Sequence, residues 1–536
     1  MKQSEVNTMF VEATASLAND KSEARSDVQI EAEAKSNKLA LVIILAIGVF
    51  YLVTIREGHY WGDDFSMYIQ HAKNIAEGAP YNLTSYIYCP PYIGPDSYPP
   101  VYPLLLAPVV GLFGMNLTAM KVELVLLFML ALFVMVQLVR NYIPVNWQIA
   151  LIALVGLNPY FWEYKDHIKS EIPFFVAAYL SIYLVHKSYD AIEAGATNWV
   201  KLGYVLATGA AFYLAYGTRS IGLILLPCLG LYDLVRKRKL GLPSAYTVGV
   251  VALTIAMIVV QYFLLRSDRA YVELVQAESQ SFLRDWMRFI LMNIPRYATS
   301  MTQIWDNGYS KLLRVGLTLV MYGLAAIGFW VQFRKKVTFI ELFVTLYTVF
   351  VLIIPMDGGV RYLLPVVPFY MFYSLQGLRA LPQHRGFRNA AFAAVTAAVL
   401  VTYVSGYTTY NFKEIPNGIT KQEAVEFFDY IKRQTGENDV VIFTKPRALA
   451  LYTGRKSSYY PGLLGDKGIW DYFQRIKATH IVLGPAGVEP QDQVFLSEFL
   501  SKYRNCVREE YSNGAFSVYR ITALPSPEQL SNSEAR

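Results

Sequence analysis

Residues 117–139 read LTAMKVELVLLFMLALFVMVQLV, a nearly unbroken apolar run. A hydrocarbon core roughly 30 Å thick needs about 17 to 25 such residues in a helix, so this block predicts a transmembrane span. Ten further blocks resemble it, over 37–55, 147–162, 171–187, 198–216, 219–235, 243–265, 312–333, 338–356, 361–378 and 389–408. Together they predict a polytopic α-helical membrane protein with about 11 spans. Composition agrees: at 536 residues, 54% hydrophobic, 15% aromatic and 17% charged, the chain is too apolar for an ordinary soluble enzyme. A twelfth apolar stretch, PPVYPLLLAPVVGLFG (99–114), is short and rich in proline. It reads as surface-lying or re-entrant rather than spanning.

Short basic loops mark the cytoplasmic side of a membrane protein. This count of spans gathers Arg140, the run Arg236 to Lys239, Arg334 to Lys336, and Arg379, Arg385 and Arg388 on one side. The formal charge of +7 is then mostly a topology signal and argues against a nucleic-acid surface. Residues 1–36 are polar and precede the first apolar block without a cleavage motif. They are expected to be a disordered cytoplasmic tail, with the first span an uncleaved anchor that sends residues 56–116 outside. The chain would be integral to the plasma (inner) membrane, multi-pass, with its C-terminal part periplasmic or extracellular.

From about residue 411 the pattern changes to short alternating elements. Residues 423–432 have helical spacing, 440–443 and 479–483 read as strands, 495–500 is helical, and an Asn-Gly turn at 513–514 joins the two strands of a hairpin. This predicts a small α/β domain over 411–522 and a disordered tail over 523–536. It contains no GxxxxGK[ST] or GxGxxG phosphate-binding motif. Three cysteines, Cys89, Cys228 and Cys506, supply neither a disulfide framework nor metal-ligand spacing.

Ionisable groups clustered at one membrane face of so apolar a chain are functional candidates, because burying them unpaired costs several kcal/mol. Directly after the first span comes WGDDFSMYIQHAKNIAEG (61–78), where Asp63 and Asp64 open an amphipathic helix and Tyr68 and His71 share the side of Asp64. Aspartate also suits a helix N-cap, but a cap does not require the second carboxylate. The loop EYKDHIKSE (163–171) offers Glu163, Asp166 and Glu171 as acids, His167 as base or ligand, and Lys165 and Lys169 as anion contacts. Arg219 in YGTRS (216–220) and Arg361 in DGGVRYLLPVVPF (357–369) lie on the side opposite the basic loops, which favours phosphate binding over simple headgroup anchoring. A long loop over 267–311, carrying Arg269, Arg284, Arg288, Arg296 and Asp306, could fold over such a site as a lid.

An acidic pair leading into a helix that ends IAEG, then YPPVYPLLL (98–106), SerGlu at 170–171 followed by Pro173, and RYLLP at 361–365 form an ordered set on one side. The set resembles the GT-C membrane glycosyltransferases, and within them the branch of the protein O-mannosyltransferases (glycosyltransferase family 39) and the lipid A aminoarabinose transferase. The resemblance covers about residues 37–410. It implies a polyprenyl-phosphate-linked hexosyl or pentosyl donor, inverting transfer at the outer face, and a lipid, glycan or protein acceptor. By motif position Asp63 would be the general base, with Asp64, Glu171 and Asp166 as companion acids. Arg361, Tyr362, Arg219, Lys165, His167, His71 and Tyr68 would contact substrate. Some relatives use a divalent cation, Mg or Mn, which here would fall to Asp63 with Asp166 or Glu171. Two departures stand out: the pair is AspAsp where many relatives have AspGlu, and the second loop is unusually basic. A glycan polymerase or ligase, or a lipid-linked sugar flippase, are the alternatives. A flippase predicts broken helices at mid-membrane and inverted repeats, neither of which the sequence displays.

Overall fold

The computed structural model describes residues 37–89, 97–237, 242–265, 269–306, 308–354, 358–381, 385–527 and 529–530, with the side chains of 269–284 and 385 excepted. The N-terminal tail, most of the 523–536 tail, Arg238, Lys239 and the side chains of Arg269, Arg284 and Arg385 lie outside the described residues.

The helices run in order α1 (Asn37–Val53), α2 (Asp64–Glu77), α3 (Val101–Phe113), α4 (Leu117–Val139), α5 (Val145–Gly156), α6 (Pro159–Tyr164), α7 (Glu171–Glu193), α8 (Asn198–Thr218), α9 (Leu225–Lys237), α10 (Ala245–Leu265), α11 (Arg269–Ser300), α12 (Lys311–Lys335), α13 (Phe339–Ile353), α14 (Val360–Leu363), α15 (Val367–Ala380) and α16 (Arg385–Tyr407). Among the described residues, four (α4, α10, α12 and α16) are long and apolar enough to cross a membrane alone. Two further helices, α7 and α8, are long, with 23 and 21 residues, but less apolar, and other apolar blocks are shorter or interrupted. The 147–162 block breaks because Asn158 caps α6, its side chain accepting from the Tyr160 N–H, and Pro159 starts the new helix. The 361–378 block is likewise split between α14 and α15.

One expectation changes. The lid loop over 267–311 is largely helix, α11 with 32 residues; that stretch has no glycine and a single proline, Pro295, so little opposes the helical backbone. The proline-rich 99–114 segment forms α3, whose Tyr102, Leu106 and Val110 are buried.

The helices pack closely where side chains are absent. A Cβ at Gly328 of α12 would fall 1.9 Å from the Tyr373 carbonyl oxygen, and one at Gly377 of α15 would lie equally near the Leu324 oxygen. Small residues let the two backbones touch, as membrane helices require when lipid is as apolar as leucine.

Helix ends fall into two sets. The end of α1 and the starts of α4 and α7 meet through Arg56, Lys121 and Asp166, and the end of α8 joins them through Arg219 and Glu171. The far ends of α4 and α15 meet where Arg379 donates to the Tyr142 carbonyl at 2.9 Å, and those of α7 and α9 meet where Tyr189 donates to Asp233 at 3.0 Å. Arg140, Arg236, Arg334, Lys335 and Lys336 all belong to this second set.

After α16 come α17 (Gln422–Gln434), α18 (Pro446–Thr453), α19 (Gly465–Ile476) and α20 (Pro490–Lys502). They surround a six-stranded sheet of β1 (Tyr86–Ile87), β2 (Val440–Ile442), β3 (Lys456–Ser458), β4 (Ala478–Leu483), β5 (Val507–Ser512) and β6 (Ser517–Ile521), ordered β1-β3-β2-β4-β6-β5. Strand β1 comes from the first loop and pairs parallel with β3, Tyr86 opposite Ser457. The first loop is joined again where Glu57 exchanges backbone hydrogen bonds with Lys413 and Ile415. Trp61 inserts among Phe428, Phe443 and Phe516, ring centroids 5.7 to 5.9 Å away. The residue two places before the acidic pair is thus part of the C-terminal core.

Candidate active site

The start of α2 sits between that core and the first set of helix ends. Asp63 makes no helix-capping hydrogen bond; its Oδ1 instead accepts from the Ala448 N–H at 3.2 Å, and Arg447 Nε lies 3.7 Å from Oδ2. Oδ2 itself is buried without a hydrogen-bond partner. Burial pushes the Asp63 carboxyl up to about 6, against the pull of Arg447, Lys445 and the Ala448 amide.

Asp64 has a different environment. Its Oδ2 lies 2.8 Å from Arg361 Nη2, and Oδ1 accepts from Tyr98 OH at 2.6 Å with Arg447 Nη1 at 3.4 Å. Burial opposes its charge, but Arg361, Lys169 and Arg447 outweigh that and hold the carboxyl well below the usual range. Two adjacent carboxyls are thus driven apart, Asp63 upward and Asp64 downward.

Glu171, first residue of α7, clamps two arginines: Arg219 Nη1 at 2.8 Å and Arg361 Nε. Arg361 therefore bridges Asp64 and Glu171 from α14, a four-residue helix entered through Gly359 at φ +55°, a conformation suited to glycine. Arg219 also donates to Ser170 Oγ at 3.2 Å and lies 5.6 Å from the Tyr362 ring. Tyr68 donates to the same Ser170 oxygen at 2.8 Å and stacks on Tyr98. Lys169 contributes to the field on Asp64 and Glu171 yet makes no ion pair among the described residues. His71 is a brace: its Nδ1 donates to the Tyr81 carbonyl at 2.9 Å and its Nε2 accepts from the Tyr98 N–H at 3.3 Å, a neutral ring that burial holds down at about 4.

The remaining candidates lie apart. Asp166 is fully buried, 2.7 Å from Arg56 Nε, 2.8 Å from Lys165 Nζ and 3.7 Å from Lys121 Nζ. Lys165 Nζ sits 3.8 Å over Trp162, and burial lowers it to about 8. His167 stacks on Tyr60 and Tyr164, while Glu163 accepts from Tyr60 and Tyr410. These residues tie α1, α4 and α6 together and do not join the acidic pair.

Arg447 is the residue that reading the sequence missed. It is 2% exposed, lies 5.1 Å from the Tyr86 ring and 5.2 Å from the Tyr98 ring, and reaches both acids from the C-terminal part. The one trace it leaves in the sequence is an arginine followed by the apolar run Ala448 to Leu451.

A divalent cation does not fit this donor set. Asp166 and Glu171, its expected partners, are each engaged by cations, and Arg447 already stands beside Asp63 and Asp64. Among the described residues no three His, Cys, Asp or Glu side chains converge.

No protein-family model matches the chain, and no curated protein matches it by sequence. Solved structures do match its fold. ArnT from Cupriavidus metallidurans, bound to undecaprenyl phosphate, is similar at 13% identity and a TM-score of 0.55, over 91% of this chain and 99% of that one. The archaeal oligosaccharyltransferase AglB from Archaeoglobus fulgidus, in complex with an inhibitory peptide and a dolichol-phosphate, gives 14% and 0.57 over 92% and 75%. The arabinofuranosyltransferase AftD from Mycobacteria gives 10% and 0.51 over 90% of this chain and 41% of that longer one. Over 90% or more of its length the chain therefore shares the fold of these three solved structures.

Proposed function

We propose that the chain is an inverting glycosyltransferase that moves a sugar from a polyprenyl-phosphate-linked donor to an acceptor hydroxyl at the outer face of the membrane, with Asp63 as general base. The observation that carries this reading is the unequal acidic pair at one end of the bundle, facing Arg361, Arg219 and Lys169. The basic second set of helix ends supports the orientation, because it would lie on the cytoplasmic side.

In this mechanism the acceptor oxygen attacks the anomeric carbon while its proton passes to Asp63 Oδ2. The bond from that carbon to the phosphate oxygen breaks, and the phosphate departs with the electron pair. A single displacement inverts the anomeric centre. The leaving phosphate needs positive charge rather than an acid; Arg361, Arg219 and Lys169 supply it, with Tyr362 against Arg219. Asp64 stays charged and orients Arg361 and Arg447. A cavity of about 700 Å³ lined by apolar residues such as Ile75, Val101, Leu104, Leu214 and Leu264 suits a lipid tail near the first loop.

The test is release of radiolabelled sugar from polyprenyl phosphate in membranes carrying the chain. Arg361→Ala is expected to lower transfer about a hundredfold, as loss of one preorganised charge-stabilising group does. Equal labelling of acceptor in membranes lacking the chain would sink the reading.

Arg447 gives a second, independent check. It pulls the Asp63 carboxyl down, so Arg447→Ala is expected to move the acidic limb of the transfer profile to higher pH. The variant should lose roughly tenfold at pH 6 and much less at pH 8, since the limb follows the pKa of the base. Parallel profiles would mean that Arg447 acts only in packing.

A further inference from the structure

We propose that a pocket at the second set of helix ends binds the phosphate-bearing headgroup of an anionic membrane lipid. The cavity holds about 270 Å³ and is lined by Arg140, Lys187, Arg236 and Lys336, with His186 and one carboxylate, Asp190. Arg236 is committed: it pairs with Glu193 and donates to Tyr232 OH at 2.9 Å. The other three cations have no such ion pair, although Lys187 Nζ lies 5.8 Å from the Tyr183 ring centroid. Arg140 Nη1 donates to the neutral Gln137 at 3.0 Å, and among the described residues Arg140, Lys187 and Lys336 form no ion pair. His186 Nε2 is buried with no hydrogen-bond partner.

A concave site with three cations outside any ion pair, a single carboxylate and an orphaned ring nitrogen suits an acceptor-rich anion. A phosphate diester supplies it, with unesterified oxygens for the guanidinium and ammonium groups and one for the imidazole N–H. Location selects a lipid over a soluble phosphate. Phe133 lies one turn before Gln137 on α4 and Phe333 three residues before Lys336 on α12, and they are 41% and 43% exposed, leaving apolar surface for acyl chains beside the pocket. Basic pockets between membrane helices are a recurring form of headgroup recognition.

The experiment titrates the purified full chain, delipidated in detergent, with phosphatidylglycerol or phosphatidylcholine and counts bound lipid by native mass spectrometry. Wild type should retain phosphatidylglycerol selectively. The double variant K187A/K336A should bind it about 30-fold more weakly, the loss of two lysine contacts at about 1 kcal/mol each. The charge-conserving K187R/K336R should stay within about threefold of wild type, which separates lost charge from a disturbed fold. Equal retention of the two lipids, unchanged binding by K187A/K336A, or an equal loss in K187R/K336R would each overturn the proposal. So would complete displacement of the lipid by an equal concentration of glycerol 3-phosphate, which would assign the pocket to a soluble phosphate.

Discussion

Asp63→Asn is expected to lower sugar transfer by about 10² to 10⁴-fold, the range a positioned general base contributes. The substitution is nearly isosteric. Its amide oxygen can still accept from the Ala448 N–H that now bonds Oδ1, so the start of α2 should stay in place and the loss should fall on kcat with the donor KM little changed. The acid limb supplies the sharper readout. A base whose carboxyl sits at about 6 is protonated and idle below that pH and ionised above it. Wild-type transfer should therefore rise through about pH 6 and level off, whereas the residual activity of Asp63→Asn should lack this limb. A variant that retains wild-type rates, or keeps the limb, would remove Asp63 from the mechanism.

That assignment began as a pattern legible in the chain. Two carboxylates directly after an apolar block, followed by helical spacing, needed no structure to be noticed, and the GT-C resemblance drawn from them and from the later motifs agrees with the fold. What the sequence could not supply was direction. In the loop 163–171, Asp166 and Glu171 lie five residues apart, yet one turns into the packing of α1 with α4 and the other towards Asp64 and Arg361. Short loops set proximity along the chain and leave side-chain direction to packing. Arg447 was illegible for another reason: its acidic partners, Asp63 and Asp64, lie more than 380 residues upstream, and the pairing of β1 with β3, the insertion of Trp61 and the backbone bonds of Glu57 bring the two regions together. A two-residue strand carries no periodicity to read. The α11 segment shows the opposite error, since its charges suggested a loop while its near freedom from helix breakers favoured a helix.

Asp166 tests the same distinction between position and role. Asp166→Asn is expected to destabilise the protein by about 3 to 5 kcal/mol, the cost of stranding buried charges by removing one partner. Arg56, Lys165 and Lys121 are each no more than 1% exposed at the side chain, and Asp166 is the carboxylate in ion-pair contact with all three. Arg56 would keep its cation–π contact with Trp162, 5.0 Å away, and Lys121 its bonds to the Arg56 and Gly58 carbonyls, but among the described residues no carboxylate would remain in ion-pair contact with any of the three. Thermal unfolding of the detergent-solubilised protein should show the drop, while transfer per folded molecule stays near wild type. Removing a cation as well should recover part of the loss. The double variant Asp166→Asn with Lys165→Met is therefore expected to be more stable than Asp166→Asn alone, a coupling that neighbouring charges produce and distant sites do not. An Asp166→Asn protein that unfolds like wild type yet cannot transfer sugar would return Asp166 to the chemistry, and would mean that the acidic pair does not work alone.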